Sequence, residues 1–153
     1  MSEILIVDDE APIRELLSRW LKAEGLALRE AADADGALGL LAAHEIAVAL
    51  CDKSMPGRDG LWLVERIRER HPAVAVILAT GDDAIPPRVS LQSGVVGYLV
   101  KPFKRELVLA AVQDAMAWHR VATRQPRPPA GENPVDTWLK GRAGRPSPPT
   151  DEP

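Results

Sequence analysis

Short apolar runs alternate with segments of helical periodicity along the first 122 residues of the chain. Each apolar run is four to six residues long, which is typical of strands, and polar or turn-forming residues bound it. Five strands are therefore predicted, at about residues 3–7, 26–29, 47–51, 74–79 and 97–100. Strands that alternate with helices imply right-handed crossovers, and so an α/β fold whose parallel sheet is covered by helices on both faces.

The segments between the predicted strands carry apolar residues at helical spacing. In the first, they recur at i, i+3, i+4, i+7 and i+8, with Pro12 in the first turn and Gly25 after the end. Further helices are predicted at about residues 34–43, 61–70 and 105–121, and a short fourth one from Pro86 to Gly94. The buried face of the last helix is predicted to contain Leu107, Val108, Ala111, Val112, Ala115 and Met116.

The composition changes at residue 123. The last 31 residues hold eight of the fourteen prolines and few apolar side chains, so they cannot bury enough surface to offset their ordering entropy. A folded domain at residues 1–122 and a disordered tail at 123–153 are predicted. One apolar island in the tail, at residues 135–140, could dock on a partner or on the domain itself; the alternative is an inert, solvated tail.

The overall composition argues against several classes of protein. Hydrophobic residues make up 46% and charged residues 27%, with a net charge of −3, which argues against nucleic-acid binding by the chain as a whole. The longest apolar run has seven residues, at 73–79, against the roughly 20 that a membrane helix needs, and no signal-peptide pattern opens the chain, so a cytoplasmic location without membrane insertion is expected. The one cysteine, Cys51, excludes an internal disulfide and is predicted to be a core residue.

Polar side chains follow four of the five predicted strands. Asp8 and Asp9 follow the first, Asp52 the third, Thr80 ends the fourth and Lys101 follows the fifth. Because open parallel sheets bind ligands outside the carboxyl ends of their strands, these side chains should gather in one cleft. Three carboxylates, one ammonium and one hydroxyl suit a divalent cation and a phosphoryl group.

A Mg²⁺ site is the first expectation for this cleft. Mg²⁺ prefers octahedral oxygen ligands, usually one or two carboxylates completed by water and phosphate oxygens. The predicted ligands are Asp8, Asp9, Asp52 and the backbone carbonyl of Ser54. Taken alone, the first two acids could instead cap the next helix.

Asp52 is predicted to be the nucleophile, since a carboxylate can attack a phosphoryl donor and become an acyl phosphate. Lys101 would pair with Asp52 at rest and with a phosphate oxygen afterwards, and the peptide bond before Pro102 is a candidate for the cis form. Thr80 would donate its hydroxyl to the phosphate. Its movement would let Tyr98, on the fifth strand, turn inward and change the surface formed by the fourth helix, fifth strand and fifth helix.

In this order and spacing, these residues resemble the receiver domains of two-component response regulators over about residues 2–122. The matching motifs are Asp8-Asp9, Asp52-Lys53-Ser54-Met55-Pro56-Gly57-Arg58-Asp59-Gly60, Thr80-Gly81 and Gly97-Tyr98-Leu99-Val100-Lys101-Pro102-Phe103. The resemblance implies a flavodoxin-like, doubly wound sheet of order 2-1-3-4-5 with five helices.

The resemblance also implies roles for single residues. Asp52 would be the phosphoacceptor, and would bind Mg²⁺ together with Asp8 and Asp9. Thr80 and Lys101 would contact the phosphate, and Tyr98 would be the switch aromatic. Two further positions, Ser54 and Asp82, would tune the access of water to the acyl phosphate.

The expected function is that of a stand-alone receiver, monomeric or weakly dimeric when phosphorylated. It would accept phosphate from a sensor histidine kinase or a phosphotransfer protein, control a downstream protein target, and have at most self-phosphorylating and self-dephosphorylating activity. One alternative is a Mg²⁺-dependent phosphatase or phosphotransferase with an aspartyl-phosphate intermediate, although such enzymes often carry a second acid where this chain has Ser54. Another is a regulator that binds DNA through the tail, whose nearly neutral charge predicts no such affinity.

Overall fold

The computed structural model describes residues 2–81 and 95–124. Within these ranges the chain alternates strands and helices as the hydrophobic pattern predicts. The elements are β1 (Glu3–Val7), α1 (Ala11–Lys22), β2 (Leu28–Ala31), α2 (Ala34–Ala43), β3 (Ile46–Asp52), α3 (Gly60–Arg70), β4 (Ala75–Thr80), β5 (Val95–Val100) and α4 (Arg105–Arg124).

All five strands form one parallel sheet in the order β2-β1-β3-β4-β5, which confirms the order that the resemblance implies. At its carboxyl edge Val7 lies beside Cys51, Asp52 beside Ala79, and Thr80 beside Val100. Strands β1, β3, β4 and β5 therefore end at the same edge of the sheet, where polar residues at their ends can meet.

The sheet separates two apolar layers, because successive side chains of a strand point to opposite faces. On β1, Ile4 and Ile6 pack in the layer that contains residues of α1 and α4, whereas Leu5 and Val7 pack in the layer that contains residues of α2 and α3. The central strands β3 and β4 are buried along their whole length. Cys51 lies in this core as predicted, and burial first, then the adjacent Asp52, raises the pKa of its thiol to about 12.

Local sequence fixes the helix ends. Pro12 lies in the first turn of α1, where a missing amide donor costs nothing, and Gly25 turns the chain after it with a φ of 81°. Asp33 caps α2 by accepting a hydrogen bond from the Gly36 amide at 2.7 Å, and Asp59 caps α3 in the same way.

Several details differ from the sequence predictions. The last helix continues to Arg124, so residues 123 and 124, predicted as the start of the tail, are helical. The second strand begins at Leu28 rather than at residue 26. The apolar pattern of this edge strand is weak, and its bounds are set by its pairing with β1. The prediction that Leu107 is buried is wrong: its side chain is 57% exposed. The core residues of α4 are Val108, Val112, Ala115 and Trp118, and Leu107 lies about 100° around the helix from Val108.

Some predictions lie outside the described residues. These are the short helix predicted between β4 and β5 with its two prolines, the tuning residue Asp82, and residues 125–153 of the predicted tail. Among the helices in the two described ranges, none combines the length and the apolar character that crossing a membrane would require.

Candidate functional site

Four polar residues that the sequence places at strand ends meet at the carboxyl edge of the sheet. Asp8 follows β1, Asp52 is the last residue of β3, Thr80 ends β4, and Lys101 follows β5. Asp8 is 2% exposed, Asp52 3% and Thr80 1%, although charged groups are rarely so buried without a partner. Asp9 lies beside them at the surface.

The ammonium of Lys101 joins the two buried acids. Its Nζ lies 3.2 Å from Asp8 Oδ2 and 3.3 Å from Asp52 Oδ2, and it also lies 3.7 Å from Glu10 Oε1. These contacts confirm that the acids of the first and third strands belong to one cleft. One positive charge between two carboxylates offsets part of their repulsion, but the site keeps a net negative charge.

Backbone hydrogen bonds extend the strand pairing into the site. The Lys53 amide donates to Ala79 O and the Lys101 amide to Thr80 O, both at 2.7 Å. The Ser54 amide donates to Asp52 Oδ1 at 3.2 Å. The peptide bond between Lys101 and Pro102 is cis. The side chain of Asp52 is thus held by a main-chain donor on one oxygen and by an ammonium on the other.

Gly60 fits tightly behind Asp52. Its amide donates to Lys53 O at 2.9 Å, and a Cβ at this position would lie 2.2 Å from Asp52 O and 2.8 Å from Lys53 Cα. Such distances are far below van der Waals contact, so only glycine lets α3 begin this close to the end of β3.

The acidic end of β1 provides oxygen ligands for a divalent cation. One carboxylate oxygen each from Asp8, Asp9 and Glu10 lies within 4.8 Å of the other two. Asp52 is not a member of this compact group, but it shares Lys101 with Asp8. A set of hard oxygen donors without sulfur or imidazole suits Mg²⁺, so the residues present fit that ion.

Burial and charge change the proton affinity of the site. Burial raises the pKa of the Asp52 carboxyl and the negative charge of Asp8 raises it further, whereas Lys101 and the Ser54 amide lower it by less. Burial alone would lower the pKa of Lys101, but its hydrogen bonds and attraction to Asp8 and Asp52 raise it overall. The site thus favours the protonated form of Lys101 and disfavours the ionised form of Asp52.

Asp52→Asn is expected to stabilise the metal-free protein at neutral pH, by about 1 kcal/mol in the free energy of unfolding. A carboxyl whose pKa is raised in the folded state favours folding only when protonated, and its ionisation costs stability as pH rises through the folded pKa. The gain should shrink as pH falls through that raised pKa toward the ordinary value of 3.8. Urea unfolding of both proteins in EDTA over a pH series measures it; a variant less stable than wild type at neutral pH would contradict it.

Sequence reasoning missed two contributors. Glu10 belongs to the acidic group and approaches Lys101, and the signal for it was the unbroken run of three acids after β1. Arg14 donates a hydrogen bond to the backbone carbonyl of Asp8, and nothing in the local pattern indicated this contact. Tyr98 lies on β5 with 43% of its surface exposed, so its side chain is not turned inward in this structure.

Buried acids, a lysine and a hydroxyl at the carboxyl edge of a 2-1-3-4-5 parallel sheet define a class of signalling domain. The sequence profile described as "Response regulator receiver domain" matches residues 4–113. The chain belongs to this family, the receiver domains of two-component response regulators.

Known proteins are similar to this chain in sequence. The chain is 37% identical over 125 residues to the DNA-binding transcriptional regulator NtrC of Salmonella typhimurium, a match that covers 81% of this chain and 26% of that protein. The chain thus spans about a quarter of the length of the curated relatives it matches.

Solved structures agree with the fold. The signal receiver domain of an HD domain-containing protein from Pseudomonas fluorescens is 31% identical with a TM-score of 0.74, covering 78% of this chain and 98% of that one. The response regulator TrrA from Thermotoga maritima, in complex with Mg²⁺ and BeF, is 30% identical with a TM-score of 0.69, covering 75% of this chain and 99% of that one.

Proposed function

We propose that this protein is a phosphoacceptor response regulator whose receiver domain comprises residues 1–122. Asp52 takes a phosphoryl group from a histidine kinase or a phosphotransfer protein, and the modified domain controls a protein partner. The observation that carries this proposal is Lys101 Nζ lying within 3.3 Å of both Asp8 and Asp52. Phosphoryl transfer depends mainly on positioning and charge neutralisation, and this arrangement supplies both.

The proposed step is one displacement at phosphorus. A carboxylate oxygen of Asp52 forms a bond to the phosphorus of the donor's phosphohistidine, the P–N bond breaks, and its electron pair stays on the donor imidazole. Lys101 then transfers its pairing from Asp52 to a phosphoryl oxygen, while the hydroxyl of Thr80 donates to another. Ser54 and Asp82 would govern the access of water that later hydrolyses the acyl phosphate.

Asp8, Asp9 and Asp52, with the backbone carbonyl of Ser54, would hold Mg²⁺, and the geometry adds Glu10 as a neighbour of that set. When bound, Mg²⁺ would neutralise charge on the phosphoryl oxygens. Without it, Asp8 and Asp52 repel one another and an incoming phosphate, and Lys101 and the Ser54 amide offset part of that repulsion.

The signal would be a shift between two arrangements of the domain. Only the difference in affinity of phosphate for the two arrangements moves their equilibrium, and a change from 1:99 to 99:1 needs about 5.5 kcal/mol. The large apolar side chains exposed within the described ranges are Tyr98, Val100 and Leu107, on β5 and the first turn of α4. This surface is the proposed contact for the protein target, with Tyr98 as the switch.

Acetyl phosphate tests the proposed function. Full-length protein with acetyl phosphate and Mg²⁺ should acquire a single phosphate that hydroxylamine removes, as expected of an acyl phosphate, and EDTA should prevent the modification. Intact-mass spectrometry measures both. A hydroxylamine-resistant phosphate, or continuous turnover of p-nitrophenyl phosphate, would contradict the proposal, the latter in favour of a phosphatase.

A further inference from the structure

A groove lies on the far side of α4 from the exposed face of Leu107. It has a volume of about 280 Å³ between α4 and the turn that joins α1 to β2. Leu26, Leu109, Val112 and Met116 supply its apolar lining, and Glu24, Gln113 and Arg120 its polar lining; Glu24 and Arg120 are called its acidic and basic borders. Leu26, Leu109 and Met116 are only partly buried by the core beneath them.

The charges at the borders give the groove a direction. Glu24 Oε2 lies 3.7 Å from the guanidinium of Arg105, the first residue of α4, so the acidic border is toward the start of this helix. Arg120 lies about one turn before the helix ends at Arg124. A segment leaving the end of α4 and turning back along it would meet the basic border first and the acidic border last.

The apolar island of the tail has the complementary order. In the sequence Val135-Asp136-Thr137-Trp138-Leu139-Lys140, an acid precedes an aromatic residue and a base follows it, each two positions apart. In an extended chain, residues two apart point to the same side, so Asp136, Trp138 and Lys140 would share one face. Such a face presents negative, apolar and positive groups in the order that the groove requires.

The distances also agree. Ten residues separate Arg124 from Val135, and they can span up to ~33 Å, more than enough to turn back along α4. From Asp136 to Lys140 an extended chain covers ~13 Å, and the helix from Leu109 to Arg120 covers ~16 Å.

We propose that residues 135–140 bind in this groove of their own chain, with Trp138 in the apolar centre, Asp136 beside Arg120 and Lys140 beside Glu24. The tail then covers the face of the domain formed by α4 and the turn after α1. This contact does not depend on the phosphoryl chemistry of Asp52, so either proposal can fail without the other.

Tryptophan fluorescence of the full-length protein tests the contact. The difference between wild type and Trp138→Phe isolates the emission of Trp138 from that of the other three tryptophans. A bound Trp138 should emit at shorter wavelength than a solvated indole and resist quenching by acrylamide. Leu109→Glu, in the groove, should abolish this protection, whereas the matched Leu107→Glu, on an exposed position of the same helix, should leave it unchanged.

If Leu109→Glu unfolds the domain, exchanging the charges of Arg120 and Asp136 provides a second test. Arg120→Glu should weaken the protection, and adding Asp136→Arg should restore it. Three results would overturn the proposal: Trp138 quenched like a free indole in wild type, protection that survives Arg120→Glu unchanged, or protection that appears only as protein concentration rises. The last would assign the groove to a second copy of the chain.

Discussion

Asp52→Asn is expected to abolish phosphorylation of the protein by acetyl phosphate in the presence of Mg²⁺. The amide that replaces the carboxylate is not a competent nucleophile, and the other acids of the described site lie on the chain after β1 rather than at the end of β3. Intact-mass spectrometry with hydroxylamine treatment measures the loss, which should be complete.

The matched control is Asp35→Asn, which makes the same change at an exposed acid on α2. It should be phosphorylated like wild type. If urea unfolding shows that Asp52→Asn is at least as stable as wild type, its loss of phosphorylation is not caused by unfolding. An acyl phosphate retained on the Asp52→Asn variant would remove Asp52 from its proposed role.

Gly60→Ala is expected to destabilise the protein by about 3 kcal/mol, the upper part of the range for inserting a methyl into a filled space. The new Cβ would meet Asp52 O at 2.2 Å and Lys53 Cα at 2.8 Å, both of them backbone atoms that cannot rotate away. The start of α3 must therefore move from the end of β3. Urea unfolding measures the loss of stability, and phosphorylation by acetyl phosphate should slow because Asp52 is displaced.

Gly39→Ala is expected to stabilise the protein, although it makes the same substitution as Gly60→Ala. Gly39 lies inside α2, and a Cβ there would have nothing within 4 Å. Alanine should therefore raise stability by up to about 1 kcal/mol through its helix propensity. If Gly60→Ala were as harmless as Gly39→Ala, the close approach of α3 to Asp52 would not be a constraint of the fold.

Much of the site could be predicted from the sequence because strand ends are easy to recognise. Four apolar runs each stop at a polar residue, and parallel topology brings such ends together, so Asp8, Asp52, Thr80 and Lys101 could be grouped from the sequence alone. The order of the strands needed the resemblance, since hydrophobic period does not specify which strands are neighbours.

The remaining details depend on tertiary contacts, which the hydrophobic periodicity of the sequence does not specify. Leu107 and Val108 are equally apolar, and only the direction in which α4 crosses the sheet decides that the second is buried and the first exposed. Trp118 is buried two residues beyond Met116, the last residue predicted for this face. Glu10 was overlooked because a third consecutive acid is usually solvent-exposed; Glu10 is exposed here too, but its carboxylate approaches Lys101.

The position of Lys101 gives the resting domain a built-in counterion. This ammonium is tethered to the segment that joins β5 to α4, and its own amide is bonded to Thr80 O. A cation that arrives between Asp8 and Asp52 would compete with Lys101, whereas a phosphoryl group would attract it, and either would change the electrostatic force on that segment. If Asp52 is phosphorylated as proposed, this tether would couple the acidic cleft directly to the strand that carries Tyr98.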